Sequence, residues 1–519
     1  MTEATMTSQN DRSTASSRPR RKWLLRCVAI ALGLAPFLFL ELTCRLMGWG
    51  RPDLSVDPFV GFKAIHPLFV LNDRGDRYEI PLSRRTFFRF DSFAAEKPAD
   101  EFRVFCLGGS TVQGRPFAIE TSFTTWLELS MQAAQPDRRW DVINCGGVSY
   151  ATYRLIPILQ EVLTYQPDLI ILYTGHNEFL EDRSFEHIRH RSEWVNQAIA
   201  AADELRSFHV LRNGWLQLTQ AESDGLDQRP LLPAEVDALL DERGGLDAYH
   251  RDEAWREDII EQYRFNLNRM VELTQAAGVP VVLVNPVSNL RDCPPFKAEH
   301  RSDLSAEELD QWETLCDLSC AQLTQKLPDI AEAIRLFEQA CEIDPQHAGG
   351  LYNLARCYDR AGRKDEARTT FVRAKDEDIC PLRILEPMHE AVFEIAEETG
   401  VPLCDAQTLF GGVSPDGIVD GVWLVDHVHP SIKGHQLLAD ALLDLLISLG
   451  TVHPQKGWRD LRQQAYQAHE DSLGSPYYAK GMQRLEVVEK WARGRAEGGP
   501  RETDTTSPQV LPTERDVPE

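Results

Sequence analysis

The sequence predicts an α/β protein: a parallel sheet covered by helices on both faces, an inserted α-helical repeat module and an N-terminal transmembrane helix. Three observations predict this. Short apolar runs alternate with helix-period segments from about residue 101 onward, and strands of a parallel sheet read as continuous apolar runs because helices cover both their faces. Ala333, Phe337, Ala340 and Pro345 recur 34 residues later as Ala367, Phe371, Ala374 and Ile379. An apolar run, "CVAIALGLAPFLFLELTCRLMGW", lies near the start behind a cluster of basic residues.

Taken in order, residues 1–22 are polar and expected to be a disordered cytoplasmic segment. Residues 23–49 read as a membrane anchor. The apolar run is about the length a bilayer core requires, Gly33 and Pro36 are tolerated in such a helix, and its one acid, Glu41, sits near the far end. Arg18, Arg20, Arg21, Lys22 and Arg26 flank the N-terminal side, which keeps that end cytoplasmic and sends the rest across, to a periplasm or cell surface. No small-x-small cleavage site follows, so the expectation is an uncleaved single-pass membrane protein.

Residues 50–100 read as a linker or N-terminal extension, and 101–300 as the first part of the α/β domain. In that part "RVFCLGG", "WDVINCGG", "DLIILYTG" and "VPVVLVNPV" are strands, separated by the helices "TSFTTWLELSMQAAQ", "YRLIPILQEVLTYQ" and "IIEQYRFNLNRMVELTQAAG". A polar insertion at 183–255 reads as a helical lid. Residues 301–379 form the helical insertion, where "LYNLARCYDRAG" supplies first-helix positions Leu354, Ala355, Tyr358 and Gly362; this pattern resembles tetratricopeptide repeats. Residues 380–450 return to the α/β domain through "PMHEAVFEIAEETG", "VPLCDA" and "GHQLLADALLDLLISLG"; 451–491 form a helical extension, and 492–519 a disordered tail.

Composition narrows the functional classes. With 43% hydrophobic and 26% charged residues the body is globular rather than polytopic. A formal charge of −25 argues against nucleic acid, since phosphate binding needs a basic face. The eleven cysteines are too few and scattered for a disulfide scaffold; under oxidising conditions Cys293 and Cys380, in Pro-flanked loops, are the first candidate pair.

Chemistry-bearing residues gather where strands end. "GGST" closes the first strand, "NCGGVS" the second and "GHNE" the third, and "DHVHP" precedes the last helix. Ser110 has a bland reading as a helix N-cap. The sharper one is a nucleophile. A hydroxyl that attacks an ester needs an imidazole to take its proton, a carboxylate to hold that imidazole in one tautomer, and donors for the oxyanion. Ser110, His429 and Asp426 meet the first two needs. Backbone amides beside Ser110 and in the second turn, with the Asn177 side chain, meet the third. His427 and His429 have a metal reading as His-x-His, but no third ligand is evident and no metal or cofactor is expected. His176 reads as a site-wall histidine.

These blocks, in this order, resemble the SGNH, or GDSL-like, hydrolase superfamily. The resemblance covers residues 101–182, 256–292 and 380–450. It implies a three-layer α/β/α flavodoxin-like sandwich that cleaves or transfers acyl esters. It also implies that Ser110 is the nucleophile, Asp426 and His429 the acid and base, and Asn177 and the Ser110 amide part of the oxyanion hole. For the second-block donor, Gly146, Gly147, Ser149 and Tyr150 are all candidates, and Gly147 is chosen. The chain departs from the pattern with Gly-Gly-Ser in place of Gly-Asp-Ser, and with Gly-His-Asn-Glu in the third block. The expected function is a serine esterase acting on an O-acyl, chiefly O-acetyl, ester of a carbohydrate. Its rivals are an O-acyltransferase modifying an exported polysaccharide and a non-catalytic scaffold whose repeat module binds a protein or peptide.

Overall fold

The computed structural model describes residues 35–36, 39–47, 67–180, 206–207 and 249–496. The chain divides into two units, one made of 1–53 with 191–229 and the other of 54–190 with 230–519. In the first unit residues 39–47 are helical. The Glu41 carboxylate accepts the backbone N–H of Arg206 at 3.2 Å and of Ser207 at 2.9 Å, and the Ser207 hydroxyl at 2.8 Å. The described residues 206 and 207 of the polar insertion therefore engage Glu41. Most of the expected anchor and most of the insertion read as a lid lie outside the described residues. Among the described residues no helix is long and apolar enough to cross a membrane.

The second unit begins with an antiparallel sheet of β1 (Val70–Leu71), β2 (Arg77–Glu79) and β3 (Ser92–Ala94). The five strands β4 (Glu101–Gly108), β5 (Arg139–Gly146), β6 (Leu169–Tyr173), β7 (Val281–Asn285) and β8 (Leu403–Asp405) form a second sheet in the order β5-β4-β6-β7-β8. All its pairings are parallel. Numbered among themselves the five run 2-1-3-4-5, a doubly wound order. In chain order, α1 (Ser110–Gln113) follows β4, α2 (Phe123–Ala134) leads to β5, α3 (Thr152–Val162) to β6 and α4 (Glu253–Ala276) to β7. The module helices are α5 (Ala306–Leu323), α6 (Ile330–Ile343), α7 (Ala348–Arg360) and α8 (Lys364–Asp376). Then α9 (Glu386–Thr399) leads to β8, and α10 (Ala406–Val413), α11 (Ile432–Ser448), α12 (Trp458–Ser472) and α13 (Ser475–Ala496) follow.

Alternation along the strands sorts side chains into two cores. Phe105 and Leu107 of β4 and Ile170 and Leu172 of β6 pack with α3, α4 and α9 on one face. Val104 and Cys106, with Leu169 and Ile171, pack with α2 and α11 on the other, where Trp458 and Tyr466 of α12 join them. Within the stretch 50–100, read as a linker or N-terminal extension, residues 67–95 contribute side chains to the first core. Phe69 and Phe93 are fully buried, and the Phe93 ring stands edge-on to Phe105 at 5.3 Å. Cys293 and Cys380, expected as a pair, share one small apolar cluster with no disulfide between them.

The module has its own core, built from Ala333, Phe337, Ala340, Ala355, Ala367, Phe371 and Ala374, with Trp312 of α5. Small residues let these helices approach while the phenylalanines fill the space between them. Ser305 and Glu308 cap α5 reciprocally. The α7 cap is His347, whose Nδ1 accepts the Gly350 N–H at 3.0 Å, and whose ring lies 4.4 Å from those of His300 and Trp312. Burial, then the neighbouring His300, lowers the His347 pKa to about 3. The unfolded chain binds that proton near the ordinary value of 6.5, so its contribution to stability is complete above that pH and is lost as pH falls toward 3. We predict that the thermal midpoint drops as pH is lowered from 7.5 to 5. His347→Asn, which retains a capping oxygen, should make the drop shallower in calorimetric scans; an unchanged slope would remove His347 as a cause.

Candidate active site

Ser110 stands where β4 becomes α1, and it is buried. Two glycines precede it for reasons of space. A Cβ on Gly108 would overlap the Tyr173 carbonyl oxygen at the end of β6, and one on Gly109 would lie 2.5 Å from the Asn177 side-chain nitrogen. Gly109 has φ −83°, which any residue adopts, so close approach rather than backbone angle demands glycine there. Asn144 braces the turn from β5. Its Nδ2 donates to the Val112 carbonyl at 2.6 Å and to Thr124 Oγ1 at 2.9 Å, and its Oδ1 accepts the Gly146 N–H at 2.9 Å.

Asp426 and His429 occupy a tight turn before α11. Val425 N–H donates to the His429 carbonyl at 2.9 Å and Ser431 N–H to the Trp423 carbonyl at 2.8 Å. Asp426 Oδ1 accepts the N–H groups of Val428 at 2.9 Å and His429 at 2.8 Å. Its Oδ2 lies 2.6 Å from His429 Nδ1, and His429 Nε2 lies 2.6 Å from Ser110 Oγ. Burial alone would raise the Asp426 pKa. His429 and His427, with the hydrogen bonds to His429, instead hold it well below the usual carboxylate range, so the group stays ionised. A hydroxyl, an imidazole and a fixed carboxylate thus form one continuous hydrogen-bonded chain.

The flanking residues vary in how they match expectation. Asn177 Nδ2 lies against Gly109 and donates to the Tyr150 carbonyl at 3.0 Å, which leaves its second N–H for another acceptor. The Gly147 assignment needs correction. Its N–H donates to the Gly108 carbonyl at 3.0 Å, carrying the β4–β5 ladder one residue past the strand. Gly146 N–H goes to Asn144 Oδ1, and Tyr150 N–H to the Gly147 carbonyl at 3.2 Å. Of the four candidates only the Ser149 amide makes no hydrogen bond among the described residues, and Ser149 has φ +61°. Glu178, the departure in the third block, accepts the Thr152 hydroxyl at 2.7 Å and its N–H at 3.1 Å, tying that block to the start of α3.

Burial disfavours the charged form of two other histidines beside the site. His176 Nδ1 accepts the Ile384 N–H at 3.2 Å, and burial followed by the nearby His427 and His429 keeps its pKa well below the ordinary value. His427 packs its ring edge-on to Phe296 at 5.2 Å, and burial lowers its pKa to about 4. Among the described residues no three His, Cys, Asp or Glu side chains group as metal ligands.

Fold and site together define a parallel α/β protein with a Ser–His–Asp chain at its strand ends and a helical module inserted ahead of the acid and base. Residues 328–378 match the tetratricopeptide repeat family model, so the module carries that repeat. The chain is similar to a solved structure from Desulfitobacterium hafniense assigned to the G-D-S-L lipolytic family, at 12% identity over 66% of this chain and 99% of that one, with TM-score 0.30. It is also similar to an acetylxylan esterase from Geobacillus stearothermophilus, at 14% identity over 66% and 94% of the two chains, with TM-score 0.29. A further acetyl xylan esterase matches at 11% identity over 66% and 98%, with TM-score 0.28. No curated relative matches the chain. At these scores the likenesses assign no activity to this chain, whose site is read from its own side chains.

Gly109→Ala tests the packing of the site. The atoms nearest to the new methyl are the tip of Asn177 and, at 3.3 Å, the Tyr150 carbonyl oxygen. The fold should survive with a thermal midpoint near wild type while Asn177 swings away. Ester turnover should then fall, by up to about 10²–10³-fold, the cost of losing an oxyanion donor; wild-type turnover would mean that Asn177 takes no part.

Proposed function

We propose that this chain is a serine esterase of SGNH type, acting on a small O-acyl ester such as an acetyl group on a carbohydrate. One observation carries the reading: Ser110 Oγ, His429 Nε2, His429 Nδ1 and Asp426 Oδ2 are linked in series by two contacts of 2.6 Å. A scaffold has no need of that arrangement. The O-acyl substrate class rests on the resemblance of the four sequence blocks.

The chemistry follows from the geometry. Asp426, ionised, accepts the Nδ1 proton of His429 and so leaves Nε2 with its lone pair toward Ser110 Oγ. As Oγ attacks the acyl carbon, Nε2 takes its proton, and Asp426 stabilises the resulting imidazolium. The carbonyl π electrons move to oxygen, where the Ser110 amide, the free N–H of Asn177 and the Ser149 amide are the donors at hand. When the tetrahedral species collapses, the alkoxide leaves with the proton from Nε2, and Ser110 keeps the acyl group. Water, deprotonated by the same nitrogen, then attacks the acyl carbon, and as the second tetrahedral species collapses Nε2 returns that proton to Ser110 Oγ while the acid leaves.

The test is labelling with a fluorophosphonate probe together with acetyl-release assays. Wild type should label at Ser110, and Ser110→Ala should not. Ser110→Ala and His429→Ala should each abolish nearly all turnover, and Asn177→Ala should lower it by about 10²–10³-fold. An unreactive wild type would favour the scaffold, and acetyl transfer to an oligosaccharide in place of release would favour the acyltransferase.

The same proposal places the body outside the cytoplasm behind an anchor at 23–49, supported by the basic flank of that run. The full-length chain should stay in the membrane pellet after an alkaline carbonate wash, and its release into the supernatant would remove the anchor.

A further inference from the structure

The segment after β7 takes no part in the reaction just described, yet it grips the turn that carries the acid and base. We propose that Asn289 is a positioning residue that holds this turn in line with Ser110, as part of a splint (Asn289–Asp292) whose other side is held by the repeat module. The proposal rests on the triad described above.

Asn289 is only 2% exposed and makes two hydrogen bonds to the turn and one within the splint. Its N–H donates to the His427 carbonyl at 2.9 Å, its Nδ2 donates to the Asp426 carbonyl at 3.1 Å, and its Oδ1 accepts the Asp292 N–H at 3.0 Å. The two carbonyls it holds are consecutive ones between the acid and the base. Three more hydrogen bonds join the splint to the segment that leads into the turn. Leu290 and Arg291 both donate to the Val419 carbonyl at 3.1 Å, and Asp292 Oδ2 accepts the Gly421 N–H at 2.8 Å.

The opposite side belongs to the module and its exit. Tyr352 of α7 donates its hydroxyl to the Arg291 carbonyl at 2.7 Å, and the Arg291 guanidinium meets Asp359 of α7 at 3.0 Å. Arg383, just beyond α8 and itself buried, donates to the Asn289 carbonyl at 3.0 Å. The splint is therefore fixed from behind. Without the Nδ2 bond, the Asp426–His427 peptide is free to rotate, and the 2.6 Å contacts on either side of the imidazole lengthen together. Misplacement by about 1 Å costs on the order of 10²-fold in rate.

The test uses Asn289→Ser, whose hydroxyl can still accept from Asp292 N–H but does not reach the Asp426 carbonyl, with Asn289→Ala beside it. Asn268→Ala, on the exposed face of α4, is the control. Four quantities are measured on the full chain: the fluorophosphonate labelling rate, kcat and KM on an acetyl ester, the thermal midpoint, and the far-downfield NMR proton of the His429–Asp426 bond. In Asn289→Ser, labelling rate and kcat should fall by about 10–100-fold, as when other orienting partners of reactive groups are removed. KM should stay within about twofold, the midpoint within a few degrees, and the downfield proton should broaden or vanish. A folded Asn289→Ser with wild-type labelling and an intact downfield proton overturns the proposal. So does a lowered midpoint with unchanged kcat per folded molecule, which is what a merely structural residue gives. If wild type does not label, but its downfield proton is present and is lost in Asn289→Ser, the positioning role stands and the esterase reading fails.

Discussion

The contact between Ser110 Oγ and His429 Nε2 joins residues 319 apart in the chain, and much of the architecture can be understood as what that contact requires. A parallel sheet brings the ends of its strands to one edge, so Ser110 after β4 and Asn177 after β6 are neighbours by construction. The acid and base are not. They follow β8, which lies at the far margin of the sheet with β7 and β6 between it and β4. The turn at 426–429 must therefore reach back across two strand ends. A turn projecting that far needs support partway, and the segment leaving β7 is the one the topology places there.

The inserted module occupies the same gap. It leaves the sheet after β7 and returns before α9, so its entry and exit both lie beside the reaching turn. Few repeats rarely stand alone, because each buries its apolar face only against neighbours. Here the shortage is met from the α/β body: Leu290 of the splint and Ile418 of the segment leading to Asp426 are both part of the module's core. The apolar surface that stabilises the module is thus shared with the chain that presents the acid and base. Ile418 is packed on the module and also leads to Asp426, so the module's core and the acid–base turn are joined through one short segment.

What could be read from the sequence, and what could not, divides along physical lines. The five strands and their covering helices were legible because a strand buried on both faces must be apolar along its length, as "DLIILY" is. Ser110 and Asn177 were legible because polar residues just after such runs have few structural reasons to be there, and Asp426 and His429 because an acid and an imidazole stand three apart just before a helix. The strands β1 to β3 were missed because two or three residues cannot display an alternation. Gly147 was misassigned because hydrogen bonding in the β4–β5 ladder outlasts the apolar pattern by one residue. Asn289 gave no signal at all. Its role exists only once the segment after β7 has docked on the turn after β8, and no local pattern records a contact of that range.

The two departures from the expected blocks have a common cause in how Asn177 is held. A side chain at 109 would take the space in which the Asn177 amide lies, so the Gly-Gly-Ser form of the first block admits the third block directly against the strand end. That proximity alone does not aim the amide. The aim comes from the Tyr150 carbonyl, which takes one of its two hydrogens, and from Glu178, whose longer side chain reaches the Thr152 hydroxyl and N–H at the start of α3. Tyr150 and Thr152 belong to the same stretch that leaves β5, so the second block sets the position of the third. The donor side of the site is thereby built from β4, β5 and β6, while the base side arrives from β8 across the splint. The two halves share no strand and are positioned by separate sets of hydrogen bonds.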